Sequence, residues 1–290
     1  MNATGEDPLL ELQRLVRQWM DKGRKNFGFD DVKAERYYNM AVPADAQAHL
    51  LGSIALQIGD PTYFNKPRSI MEAGCGTGSF LLAVLKRGYD GWGIDNDPDR
   101  LVIGHAKIPA YGYPYQWKER FVQGDAESTP FESNQFDVVF GHQFIEHVDH
   151  IPGVISELLR IARPGGYVVL NAPDYRFPHE AHYEMPWPPF PSRRVEEQWL
   201  EAFGRPTGGL GSFNYATLPQ VGSVFQSLNC DIVSATLDRP FDPAVIGLFD
   251  TSSAGAVEST AKRIRSGWEA GTLPPSLVAP TCFAIAVRKR

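Results

Sequence analysis

The stretch Ile70-Met71-Glu72-Ala73-Gly74-Cys75-Gly76-Thr77-Gly78-Ser79-Phe80 constrains what this chain can fold into more than any other. A short apolar run ends in an acid. Three glycines follow at alternate positions, and an amphipathic run continues through Leu81-Leu82-Ala83-Val84-Leu85-Lys86-Arg87. The pattern predicts strand, tight turn, helix. Glycine tolerates positive φ and lets a ligand approach the backbone closely. A helix start behind the turn leaves N–H groups free to meet a ligand. Such a turn belongs at the carboxyl end of the first strand of a parallel sheet, where nucleotides bind. Spacing narrows the ligand further. A dinucleotide fingerprint reads G-x-G-x-x-G, whereas Gly78 follows Gly76 after a single residue. No Lys-Ser or Lys-Thr pair follows, so a phosphate-gripping P-loop is absent.

The segments beyond this turn alternate between strand and helix patterns, the signature of an α/β fold. Strands are expected at residues 69–72, 91–95, 120–122, 136–140 and 167–170, with a turn at 163–166 before the fifth. Pro98 after Asp97 suits the first position of a helix, and residues 151–161 read as another. Ahead of the core, apolar residues at helical spacing predict one helix from Leu9 to Met20, stopped at Gly23, and a second over 44–58. Residues 1–66 thus read as a helical cap before a domain spanning 67–290. From about 173 to 213 the pattern breaks into Pro, Gly, His and aromatic residues, with a short helix over 196–203. A long structured loop of this kind carries function. Afterwards, helices over 218–228 and 254–268 and strands over 230–237 and 283–287 resume the α/β pattern.

Asp95 ends the second expected strand, on the same edge as the glycine turn. Its carboxylate can accept hydrogen bonds from both hydroxyls of a ribose. Together with Gly124-Asp125-Ala126-Glu127, Phe136-Asp137-Val138-Val139, Ile145-Glu146-His147-Val148 and Arg163-Pro164-Gly165-Gly166, the Glu-x-Gly-x-Gly-x-Gly turn resembles the motif series of class I S-adenosylmethionine-dependent methyltransferases, of the type 11/23-like branch. The resemblance covers about residues 69–172. It implies a Rossmann-like, seven-stranded, mostly parallel sheet whose last strand is inserted antiparallel. It also implies S-adenosylmethionine lying across the carboxyl ends of strands one to four. The cofactor residues it implies are Glu72, Gly74, Cys75, Gly76, Gly78, Asp95, Asn96, Asp125, Ala126, Glu127 and His142.

Acceptor chemistry falls to the histidines and to the 173–213 segment, which reads as a lid. His147, His179 and His182 are the candidate catalytic bases, because a hydroxyl nucleophile benefits from a group that removes its proton. Glu146-His147 with a later lid histidine is similar to the metal sites of small-RNA 2′-O-methyltransferases and quinone-pathway O-methyltransferases. If a divalent metal is bound, its ligands are Glu146, His147 and His182. Gln143 stands where those relatives carry a glutamate, which weighs against the metal. Tyr37, Tyr38, Tyr183 and Trp187 are the candidate walls of an acceptor pocket. The reading is methylation of a small-molecule acceptor, at oxygen. The alternatives are a non-catalytic protein that keeps the cofactor fold, and an RNA methyltransferase.

A formal net charge of −6 argues against a nucleic-acid partner. Cys75, Cys230 and Cys282 form no C-x-x-C pair, so neither a disulfide framework nor a thiolate metal site is expected. Residues 1–8 lack the basic start and apolar core of a signal peptide, and no run approaches a membrane span. A soluble, cytoplasmic chain with no membrane partner is expected.

Overall fold

A computed structural model describes residues 7–240 and 243–290. Most of the polar stretch at the N-terminus lies outside the described residues. Five parallel strands open the core: β1 (Ser69–Ala73), β2 (Asp90–Asp95), β3 (Phe121–Gln123), β4 (Phe136–His142) and β5 (Ala162–Pro173). Two more, β8 (Cys230–Leu237) and β9 (Cys282–Lys289), complete a seven-stranded sheet of order β3-β2-β1-β4-β5-β9-β8. The last strand, β9, is inserted antiparallel between β5 and β8, as the family resemblance implies. The order reverses between β1 and β4, which places a switch-point crevice at the carboxyl ends of these strands. Asp137 pins the far end of this pair, its Oδ2 accepting from the Ser69 backbone N–H at 2.8 Å.

Helices cover both faces. On one, α6 (Ile151–Ile161) and α8 (Leu218–Gln226) bury Val154, Ile155, Leu158, Val221 and Phe225 against Val139, Val168 and Leu170. Thr217 caps α8, its Oγ1 accepting from the Gln220 N–H. On the other, α3 (Leu50–Ile58) and α4 (Ser79–Lys86) pack Ile54 and Phe80 on Val138, Phe140 and Val169. The first helix, α1 (Pro8–Phe27), lies against α5 (Pro98–Ala110), with Leu12 and Val16 touching Ile103.

Several elements differ from the expectation. Gly23 does not stop α1; its missing side chain makes room for the Phe29 ring, 2.4 Å from an added Cβ. The helix ends instead at Gly28, whose φ is 67°. A helix absent from the sequence reading, α2 (Asp31–Ala41), starts at Asp30, whose carboxylate accepts from the Lys33 N–H. Only Lys33, Ala34 and Ala41 of it are buried, too few to leave an apolar stripe in the sequence. Residues 43–49 form turns, so α3 begins at Leu50. The expected turn at 163–166 lies inside β5 as a bulge: Ala162 pairs with Phe136 and Tyr167 with Val138, so four residues stand opposite Asp137 alone, and Gly165 takes a φ of 76°.

The 173–213 segment folds around its own core. A two-stranded hairpin, β6 (His179–Glu180) and β7 (Met185–Pro186), precedes α7 (Arg193–Phe203). Tyr183, Met185, Trp187, Trp199 and Phe203 bury against Val257, Ala261 and Ile264 of α9 (Ala254–Glu269) and Leu277 of the short α10 (Pro275–Val278).

Candidate active site

The crevice at the switch point is built by the glycine turn. Gly74, Gly76 and Gly78 all hold positive φ, at 69°, 51° and 72°. Two of them also need the missing side chain for packing: an added Cβ would come 2.6 Å from the Phe144 ring at Gly74 and 2.2 Å from Phe121 at Gly78. At Gly76 an added Cβ would meet only Arg100 Cδ, in ordinary contact at 4.0 Å. Asp95 organises the loop, its carboxylate accepting from the Gly76 N–H at 2.7 Å and the Asp97 N–H at 2.9 Å. Glu72 is buried, with one carboxylate oxygen lacking a partner. Burial raises its pKa well above the ordinary carboxylate value.

The crevice has two connected parts. The first is lined by Asp95, Asn96, Asp125, Ala126, Glu127 and Val148. The Asp125 side chain turns back to accept from the Glu127 N–H at 2.8 Å, and Glu127 accepts from His150 at 2.7 Å. The second, a cavity of about 440 Å³, is bounded by Glu72, Cys75 and Gly76 below and by Trp19, Tyr37 and Met40 of the N-terminal helices above. His142, His147, His182 and Glu184 close its far side. Gly74, Arg100, Gln143 and His147 line both parts. Gln143 holds a φ of 50°, rare for a residue with a side chain, and its N–H bonds the Asn171 carbonyl at 2.8 Å. Backbone strain of this kind concentrates at functional sites.

At the cavity wall two imidazoles meet. His182 Nε2 and His147 Nε2 are 3.1 Å apart. The His147 Nδ1–H donates to the Ser212 carbonyl at 2.6 Å, and His182 Nδ1 bonds the Glu180 carboxylate at 2.7 Å. A carbonyl only accepts, so His147 carries its proton on Nδ1 and presents a lone pair at Nε2. The close Nε2 pair therefore requires a proton shared from His182 or a cation between them. Glu180 is fully buried and also accepts from the Tyr175 hydroxyl and the Tyr183 N–H. Burial opposes its charge, but His182 and these donors outweigh it and hold it at about 2. Burial likewise opposes a charge on His182, yet Glu180 raises that imidazole above its ordinary value. His147 is pulled down to about 4 by burial and by His182.

Glu146 completes the cluster. Both of its oxygens are buried without a hydrogen-bond partner, and burial pushes its pKa up to about 7. Glu146, His147 and His182 each offer a ligand atom within 4.8 Å of the others. These residues fit a divalent ion: one carboxylate and two imidazoles converge, and each imidazole is oriented from behind by an acceptor at Nδ1.

Comparison with known proteins agrees with this architecture. Residues 71–170 match the family model described as a methyltransferase domain. The chain carries a class I S-adenosylmethionine-dependent methyltransferase domain. This domain is 25% identical over 138 residues to a sterol 4-C-methyltransferase of Caenorhabditis elegans, covering 46% of this chain and 41% of that one. It is 32% identical over 112 residues to a norajmaline N-methyltransferase of Rauvolfia serpentina, covering 38% and 37%. The chain thus spans about two fifths of the length of these curated relatives. A crystal structure of a putative sarcosine dimethylglycine methyltransferase from Galdieria sulphuraria superposes with a TM-score of 0.53 at 11% identity, over 95% of this chain and 98% of that one. At that identity the likeness shows the fold alone.

Within the methyltransferase domain and its additions, the expected cofactor residues Glu72, Gly74, Cys75, Gly76, Asp95, Asn96, Asp125, Ala126, Glu127 and His142 line the two parts of the crevice. Gly78 serves the turn without lining it. Of the three candidate bases, His147 and His182 face the cavity. His179 does not: it is buried in β6, one residue from Glu180, and strand alternation turns successive side chains to opposite faces. Tyr37 lines the cavity, but Tyr38 lies outside it under the Arg17 guanidinium, 4.7 Å from the ring centre. Tyr183 and Trp187 are not pocket walls. Their rings stack 5.9 Å apart inside the core of the insertion, and Trp187 Nε1 donates to the Tyr215 hydroxyl.

Sequence reasoning missed Arg100, which lies one turn into α5 behind Asp97, and Arg36, which pairs with Glu184 across the cavity. It missed Glu180 and Lys107 as well. Lys107 is fully buried under the glycine turn, donating to Ser79 Oγ at 2.7 Å. Its position on α5, nearly thirty residues from Ser79 in sequence, gives no local signal.

Proposed function

We propose that the chain methylates a hydroxyl oxygen of a small molecule, with His182 as the general base. The observation that carries this reading is the pair of imidazoles at the cavity wall, with His182 Nε2 3.1 Å from His147 Nε2 and Glu180 bonded to the other His182 nitrogen at 2.7 Å. S-Adenosylmethionine supplies a methyl group activated by its positive sulfur. The chain's residues then have three tasks. Asp95 and Asp125 line the part of the crevice suited to ribose and adenine. The glycine turn and Glu72 flank the part suited to the amino-acid end. With the acceptor bound, its hydroxyl replaces His147 as the partner of His182 Nε2; that nitrogen, unprotonated while Nδ1–H donates to Glu180, takes the hydroxyl proton as the new oxygen–carbon bond forms and the sulfur–carbon bond breaks. Glu180 fixes the imidazole so that this nitrogen faces the acceptor, and a well-placed base contributes roughly 10²–10⁴-fold. Holding the hydroxyl in line with the methyl contributes up to about 7–11 kcal/mol. The two relatives methylate carbon and nitrogen by their names, so the oxygen assignment rests on the histidine cluster. The net charge of −6 supports a small acceptor over a nucleic acid.

The test is transfer of a radiolabelled methyl group to a panel of hydroxylated metabolites. His182→Ala should lose at least ~10²-fold in kcat while its affinity for S-adenosylhomocysteine stays within about twofold of wild type. Unchanged turnover in that variant would remove His182 from the chemistry.

A second reading is favoured by the unpartnered Glu146 carboxylate beside the facing imidazoles. Glu146, His147 and His182 would hold a divalent ion, which as a Lewis acid lowers the pKa of a bound hydroxyl. Cobalt(II) titrated into the protein should then produce a d–d absorption band that Glu146→Gln abolishes. The absence of such a band in the wild type would leave the proton-shared histidine pair as the working arrangement.

A further inference from the structure

A second chamber, of about 290 Å³, lies at the carboxyl ends of β4 and β5 between α3 and the β8–β9 edge. Its walls are Leu50, Ile54, Phe140, Val169, Leu237 and Ala284. Several polar groups on the same walls are already engaged. Gln57 Nε2 donates to Thr236 Oγ1 at 3.4 Å, Asp238 Oδ1 accepts from the Cys282 N–H at 3.1 Å, and the Asn171 amide bonds Gln143 at 3.2 Å and the Phe283 carbonyl at 3.0 Å. What remains for an occupant is mainly hydrocarbon surface, which water covers poorly and an apolar group covers well.

The chamber adjoins the methyl-transfer cavity through one residue. His142 lines both. Its ring lies parallel to Phe140, with centroids 6.1 Å apart, and its Nδ1 is buried without a hydrogen-bond partner. So a polar atom in need of a partner stands at the junction of a polar reaction cavity and an apolar space. That arrangement suits a molecule with a hydroxylated head and a hydrocarbon tail.

We infer that this chamber is the acceptor's tail subsite, and that the acceptor is an amphipathic alcohol or phenol whose apolar part passes His142 and lies against α3 and β9. The inference rests on the proposed methyl transfer for the identity of the head, but the chamber's preference for hydrocarbon can be measured separately. The volume is near the lower end of small-ligand pockets, about 300 Å³, which suits a tail rather than a whole ligand.

The experiment is a calorimetric titration of wild-type protein with 1-butanol, 1-hexanol and 1-octanol, with and without saturating S-adenosylhomocysteine. Affinity should rise roughly 4-fold per added methylene, the factor for burying a CH₂. Ala284→Phe fills the chamber from β9. Ser53→Trp blocks it from the exposed side of α3, where folding is not at stake. Both variants should flatten the chain-length series while binding S-adenosylhomocysteine as wild type does. A flat series in the wild type, or a rise that both folded variants preserve, overturns the inference. Failure of S-adenosylhomocysteine to bind the wild type would instead overturn the methyl-transfer reading, and the alcohol series without cofactor would still decide the chamber.

Discussion

At the scale of single residues, the site shows how far motif reading reaches. The glycines and Asp95 were legible because backbone conformation and carboxylate chemistry leave few substitutes. His147 and His182 were legible as residue types, but their facing geometry was not, since it depends on Ser212 and Glu180 anchoring each ring from behind. Lys107 was invisible for the same reason. Burial pulls its pKa down to about 7, with Glu72 opposing the fall, whereas the unfolded value is near 10.4. A base whose folded pKa is depressed is protonated more readily in the unfolded chain. Its contribution to stability therefore rises with pH across the window from about 7 to about 10.4 and is flat below it. Chemical denaturation at pH 7, 8 and 9 should show wild type gaining stability relative to Lys107→Met, on the order of 1 kcal/mol per pH unit. A constant difference across that range would place a charged, well-solvated ammonium there instead.

At the scale of elements, the parallel strands and the helices between them were readable because each buries a continuous apolar face. The N-terminal region was harder. Much of α2 is exposed, yet it carries Arg36, Tyr37 and Met40 to the cavity. The insertion was read as an aromatic lid, and the structure divides that composition into two roles. His182 and Glu184 face the cavity, while Tyr183 and Trp187, on neighbouring positions, anchor the hairpin to α7 and α9. Period-two alternation in a hairpin as short as β6–β7 cannot be recognised among so many prolines. Trp199 is the keystone of this second core, fully buried with its Nε1–H on the Pro186 carbonyl at 2.8 Å. Trp199→Ala should destabilise the protein by about 3–5 kcal/mol in urea denaturation. It should also release the hairpin that holds His182, so that turnover falls further than cofactor affinity. Loss of cofactor affinity in equal measure would mean that the insertion and the crevice unfold as one unit.

At the scale of the whole molecule, the proposed reading puts the cofactor at the switch point of the sheet and the acceptor under the elements packed over it, α1 and α2 on one side and the insertion on the other. Among the described residues no helix is long and apolar enough to cross a membrane. The fold was legible because the motif series spans its first five strands. The acceptor was not, because the cavity walls come from segments whose sequences record packing as much as recognition. The central claim is that this crevice holds S-adenosylmethionine through the glycine turn and Asp95. Isothermal titration of S-adenosylhomocysteine into wild type and Asp95→Ala tests it most directly. One site per chain is expected in the wild type, and an affinity at least ~10-fold weaker, about 1.4 kcal/mol, in a variant that melts cooperatively. No binding to the wild type at millimolar ligand, or equal affinity in the two proteins, would contradict it.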